Sequence, residues 1–159
     1  SKLQDVRKLK KIKKKKKQKV NISVLAKNLV LKLNEHSHLL NVDYVLIENQ
    51  PVLKNPKMKS IQMILYSYFL INGIVTNKIK EIRLISAKNK LKTYDGPPII
   101  VKSKNKYTRT KILAIEYCRY IIKNNIKKHI DNITYFNEHK KKDDLADAFL
   151  QGVWFINSL

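Results

Sequence analysis

VDYVLIEN, residues 42 to 49, is a short β-branched run that stays nearly continuous in apolar character until Glu48. Strict alternation would mark a strand with one wet face. A continuous run marks a strand buried on both faces, as in the parallel sheets of α/β proteins. The chain then turns polar at Asn49 and Gln50 and reaches Pro51, which has no N–H to give a ladder. EIRLIS, residues 81 to 86, reads as a second strand.

Outward from these two runs the spacing becomes helical. Ile22, Leu25, Leu29 and Leu33 recur at intervals of three and four, which predicts an amphipathic helix from Val20 to about Asn34. After a loop with Pro56, the residues Met58, Ile61, Leu65, Tyr68 and Phe69 form the expected inward face of a second helix, with Gly73 placed to stop it. Ile112, Ile115, Cys118 and Ile122 mark a third helix, and Leu145, Phe149 and Phe155 a last one from Asp143 to Ile156. The polar stretch 87 to 107, with its turn signal at Asp95-Gly96-Pro97-Pro98, is expected to be a mobile basic loop facing DNA. Residues 123 to 142 read as a polar connection with short strand character from Ile133 to Phe136. The alternation implies α/β layers, although two or three strands are few for the helices they must support.

The balance of charge narrows the partners. Thirty-four Lys plus Arg against 12 Asp plus Glu leave a formal +22, a self-repulsion that an anionic partner such as nucleic acid would relieve. The alternative is a solvated lysine face without a ligand. Residues 1 to 19, SKLQDVRKLKKIKKKKKQK, form a low-complexity basic tract distinct from a domain at 20 to 159, and they lack the apolar segment of a secretion signal. The single cysteine, Cys118, cannot form an internal disulfide and gives no sign of an oxidising compartment. The greasiest stretch, residues 61 to 75, is interrupted by Gln, Ser, Asn and Gly and falls short of the roughly 20 residues a bilayer requires, so no membrane association is expected.

The few acids gather near the end, in KKKDDLADAFLQGVWF, residues 140 to 155. Asp144 and Asp147 are three residues apart and share a helical face, and Asp143 stands at i to i+4 from Asp147. Like charges so spaced cost a helix about 0.2–0.5 kcal/mol unless something neutralises them, which a divalent cation would do. Asp143 alone suits an N-cap; Asp147, already in the second turn, is explained less well that way. Glu48 is either an exposed strand end, solvated or paired with a lysine, or part of a site, since open α/β sheets form their sites at the carboxyl ends of strands. His36 and His38 are expected to be exposed polar residues, and Trp154 and Phe155 to pack in the core.

Taken together, VLIENQP at 45 to 51, KNPKMKSIQ at 54 to 62 and KKDDLADAFLQ at 141 to 151 resemble the Holliday junction resolvases of poxviruses and other large DNA viruses. More distantly they resemble RuvC and the mitochondrial junction resolvases, and the pattern extends in order over residues 42 to 157. The resemblance implies a ribonuclease H-like fold, a mixed sheet flanked by helices. In it Glu48 would lie on a central strand and Asp144 and Asp147 on the final helix, as ligands of Mg²⁺ or Mn²⁺. Asp143 matches the family's less essential acid, and Lys90 and Lys111 are the candidates, by position, for basic groups near the scissile phosphate. The implied activity is metal-dependent cleavage of four-way or branched DNA by a homodimer, with no small-molecule cofactor. The implied location is intracellular and, for a viral protein, the host cytoplasm or virus factory.

One departure stands out. The family's first metal-binding Asp lies on an N-terminal strand in a pattern like DxGxKN, which does not occur before residue 42, and Asp5 sits instead in the lysine tract. The expectation is therefore a resolvase domain incomplete at its N-terminus, a fragment or a natural truncation, and a poor catalyst by itself. A missing hairpin would also account for the shortage of strands. The competing expectation is a non-catalytic nucleic-acid-binding protein with an incomplete resolvase site.

Overall fold

In the computed structural model, which describes residues 21 to 125 and 130 to 159, both apolar runs are strands. The basic tract at 1 to 19 lies outside the described residues. β1 (Tyr44–Glu48) and β2 (Glu81–Ile85) pair in parallel, Tyr44 opposite Glu81 and Glu48 opposite Ile85. Parallel neighbours require a crossover, and α2 (Pro56–Phe69) supplies it. Among the described residues the sheet has these two strands, so the α/β class holds and the mixed sheet is not seen there.

Strand side chains alternate between faces, and this divides the core in two. Val45 and Ile47 are buried with Leu40, Tyr68, Phe69 and Ile79, against Val30 and Leu33 of α1 (Ile22–Asn34). Tyr44, Leu46 and Glu48 face the other way, toward α5 (Lys142–Ile156), where the Tyr44 and Phe155 rings meet edge-on at 5.1 Å. Beyond lies the second core, in which α5 packs with α3 (Lys106–Asn125) and α4 (Ile130–Glu138) around Cys118, Ile122, Phe136, Ala146 and Leu150.

The strand backbones show which edge of β1 is open. The Asp43 carbonyl accepts from Lys80 N–H at 2.9 Å, and Asn49 N–H donates to the Ile85 carbonyl at 2.8 Å. Backbone groups of the odd-numbered residues thus turn toward β2. Those of Tyr44, Leu46 and Glu48 turn to the opposite edge, which no strand covers among the described residues.

Several expectations require correction. Ile133 to Phe136 is helical, inside α4, because Ile133 and Phe136 at i and i+3 serve one face against the α3–α5 core. Ile22 and Leu25 are exposed, since α1 leans on the core through its C-terminal half, and Met58, at the start of α2, is exposed as well. Gly73 does not stop α2 with a left-handed turn: the helix widens over Leu70–Ile74, and the positive φ, 56°, belongs to Asn77. What requires a glycine at 73 is packing, because a Cβ there would stand 2.3 Å from Cδ1 of the buried Ile79.

The basic stretch after β2 is a loop only from residue 94 to 105, where it has neither helix nor strand. Before that it forms a 3₁₀ turn, Asn89–Thr93, whose Leu91 packs on the second core. The Tyr94 ring then stacks on Tyr117 with centroids 3.9 Å apart, and its hydroxyl donates to the Pro97 carbonyl at 2.7 Å. Gly96 fits closely under this arrangement, for a Cβ would come within 2.7 Å of the Tyr94 and Tyr120 rings. Aromatic packing therefore fixes the segment that carries Lys90.

Candidate functional site: an acidic cleft between strand and final helix

Asp144, Asp147 and Gln151 occupy positions i, i+3 and i+7 of α5, so one face of the helix carries all three. That face looks across at the carboxyl end of β1. Between them is a cavity of about 370 Å³, lined by Glu48, Gln50, Asp144, Asp147 and Gln151 with Leu46 and Ile85. Three of the acids singled out in the sequence thus line one cleft, although they come from segments about a hundred residues apart.

Each carboxylate has a different environment. Glu48 is half-buried and held by neutral groups: Oε1 accepts from Gln50 Nε2 at 2.9 Å and Oε2 from Gln151 Nε2 at 2.8 Å. It is not the solvated or lysine-paired strand end that was the alternative. Asp147 accepts from Lys90 Nζ at 2.5 Å through Oδ2, while its Oδ1 is buried without a hydrogen-bond partner. Burial pushes the Asp147 carboxyl above its ordinary value; Lys90 pulls the other way, and the charges of Glu48 and Asp143 add to the rise. Asp144 stands at the rim, 69% exposed, with Lys141 at 3.8 Å.

Asp143 is turned aside. Its Oδ2 accepts from Lys111 Nζ at 2.5 Å, and that hydrogen bond holds its carboxyl below the usual range. It is not the N-cap of α5, a position taken by Lys141 without a side-chain bond, and Asp143 lies in the first turn. The Lys111 ammonium also sits 5.0 Å from the centre of the Tyr107 ring, and its pKa is raised chiefly by the bond to Asp143. Lys90 therefore reaches the cleft through its ion pair with Asp147, whereas Lys111 is paired with Asp143, which does not line it.

The donor set is of the kind a divalent cation takes. All its atoms are hard oxygens of the kind Mg²⁺ and Mn²⁺ prefer, one of them buried and unpartnered. The chemistry fits. The spacing is looser than a formed centre, since no group of three or more His, Cys, Asp or Glu side chains stands at metal-holding distance among the described residues. Elsewhere, the His36 and His38 rings meet edge-on at 5.6 Å, exposed and outside the cleft.

Gln50, Gln62 and Gln151 were not among the residues picked out by sequence. The available signal was position: Gln151 continues the Asp144–Asp147 face by one more turn, and Gln50 lies two residues beyond Glu48.

Over 91% of its length the chain is 39% identical to an uncharacterized protein of Acanthamoeba polyphaga mimivirus. It spans 37% of the length of that curated relative. No family model matches the chain, and no solved structure matches it. Among the described residues no helix is long and apolar enough to cross a membrane.

Proposed function

We propose that this chain carries the catalytic face of a structure-specific endodeoxyribonuclease that resolves four-way or branched DNA by metal-dependent phosphodiester hydrolysis. The observation that carries the reading is the convergence of Glu48, Asp144 and Asp147 on one cleft at the carboxyl end of a parallel strand, with Lys90 beside it. A ribonuclease H-like fold is part of the same proposal, and the uncovered edge of β1 is where its further strands would pair.

On this reading Glu48 and Asp147 would hold Mg²⁺ or Mn²⁺, with Asp144 contributing from the rim. Such ions, when bound, neutralise non-bridging phosphate oxygens and activate a water. The chain's own groups do the rest. Lys90 and Lys111 keep two ammonium groups on aspartates of α5, and on this reading they would anchor a phosphodiester. Tyr94, stacked on Tyr117, fixes the segment bearing Lys90, so the anchor is set by packing.

Paired incision of a nearly two-fold junction calls for two sites facing matching strands, hence a homodimer. The outer side of α2 supports one, since Met63 and Ile71 are exposed beside a groove of about 360 Å³ shared with Val30 of α1. The proposed setting is intracellular, in host cytoplasm or a virus factory, which the mimivirus likeness supports.

One observation favours the second reading, a binder that does not cut: lysines already neutralise Asp147 and Asp143. A mobile four-way junction separates the two. With Mg²⁺ the nuclease reading requires nicks that vanish in EDTA and in Glu48→Gln while the junction stays bound. Binding with intact strands in every condition, by the chain with any upstream residues restored, would leave only the second reading.

A further inference from the structure

Two polar side chains are buried among the described residues, Gln62 at 2% and Gln151 at 6% exposure, and both lead to the same carboxylate. Gln151 reaches it directly, from α5. Gln62 reaches it in two steps from α2: its Oε1 accepts Gln50 N–H at 2.8 Å, and the Gln50 side chain in turn donates to Glu48. We propose that Gln151, and Gln62 through Gln50, are positioning residues that hold both oxygens of Glu48 in the orientation that binds a divalent cation. This rests on the metal-dependent reading of the cleft.

The direction of each bond follows from chemistry. An ionised carboxylate only accepts, so the amide nitrogens of Gln50 and Gln151 must be the atoms facing Glu48. A backbone N–H only donates, so the amide oxygen of Gln62 must face Gln50, where it also accepts from Lys59 Nζ at 3.1 Å. That orientation leaves Gln62 Nε2 buried without a partner, a cost an apolar side chain would avoid. A filler of the core has no reason to carry it. A residue needed for its oxygen does.

Neutral donors suit this role better than charged ones. Lys90 on Asp147 and Lys111 on Asp143 cancel the charge they touch. An amide fixes a carboxylate's rotamer and leaves its negative charge for a cation, as outer partners of metal ligands commonly do. The bracket joins three elements, since Gln62 belongs to α2, Glu48 to β1 and Gln151 to α5, so it also ties the cleft's two walls at a set separation.

The test is Mn²⁺ affinity of the purified chain, read by electron paramagnetic resonance of free Mn²⁺, which needs no catalysis. Gln151→Met keeps the volume and removes the donor; it is expected to weaken Mn²⁺ binding by about tenfold or more. Gln62→Met is expected to weaken it in the same direction but less. Gln50→Met, at a half-buried loop position, removes one donor without touching either core and covers the case in which a buried variant fails to fold. Wild-type affinity in folded Gln151→Met and Gln50→Met would overturn the inference, as would a wild type that takes up no Mn²⁺. Mn²⁺ binding by the wild type that weakens in these variants, with no nicking of a junction even when any upstream residues are restored, would sustain the bracket and remove the nuclease reading.

Discussion

Asp143 and Asp147 are four residues apart on one helix, yet their surroundings push them in opposite directions. The Lys111 hydrogen bond lowers Asp143, whereas burial raises Asp147. Carbon-13 carboxyl titration of the metal-free chain should find Asp143 below the ordinary value of about 3.9 and Asp147 above it. The stability consequences also oppose. Asp143 stabilises the fold above its unfolded value, and that gain is lost as pH falls through its lower folded value. Asp147 ionises less readily when folded, so stability declines as pH rises from its unfolded value through its raised one. Urea midpoints across pH 3 to 7 should show the first slope vanish in Asp143→Asn and the second in Asp147→Asn. Cys118 is fully buried, and desolvation pushes its thiol up to about 12, so at pH 8 it should resist alkylation until the chain unfolds. Labelling of the native chain as fast as of a free thiol would contradict the packing of α3. At this scale the acids were legible, because a carboxylate ending an apolar strand and a pair at helical spacing each violate a simple expectation. The glutamines were not: an amide in a sequence looks like surface, and only the fold shows that Gln62 and Gln151 are buried around Glu48.

At the scale of elements, both strands and the helices α1 and α5 were readable from period alone, although β1 buries only Val45 and Ile47 fully, not both of its faces, and α1 leans on the core only through its C-terminal half. The misreadings share a cause. Ile133 and Phe136 satisfy a helix and a short strand equally well, and what decides is the α3–α5 surface against which they pack. Gly73 looked like a stop signal since glycine often is one; the close approach of Ile79, six residues later, has no local signature. Gly73→Ala should therefore destabilise by about 1–3 kcal/mol through overpacking, read as a lower urea midpoint with an unchanged slope. An unchanged midpoint would mean that Ile79 moves aside freely. Similarly, the lysine-rich composition of residues 87 to 107 hid Leu91 and Tyr94, whose contacts depend on Tyr117 and Tyr120 of α3.

For the whole molecule, +22 of formal charge and an acidic cleft are complementary features: on the proposed reading the first would draw in polyanions without regard to sequence, and the second would supply a local exception for cations. Junction binding should accordingly fall by about a thousandfold between 50 and 200 mM salt, with a slope unaffected by Glu48→Gln. Salt-independent binding would remove phosphate contacts as its basis. If the outer side of α2 joins two copies, Met63→Glu with Ile71→Glu should convert a dimer to a monomer by light scattering while leaving the melting temperature nearly unchanged. Whether the cleft takes a metal is read from the anomalous difference density of a crystal grown with Mn²⁺. The account predicts a peak between the carboxylates of Glu48 and Asp147, lost in Glu48→Gln; density elsewhere, or none in that cleft at saturating Mn²⁺, would contradict it.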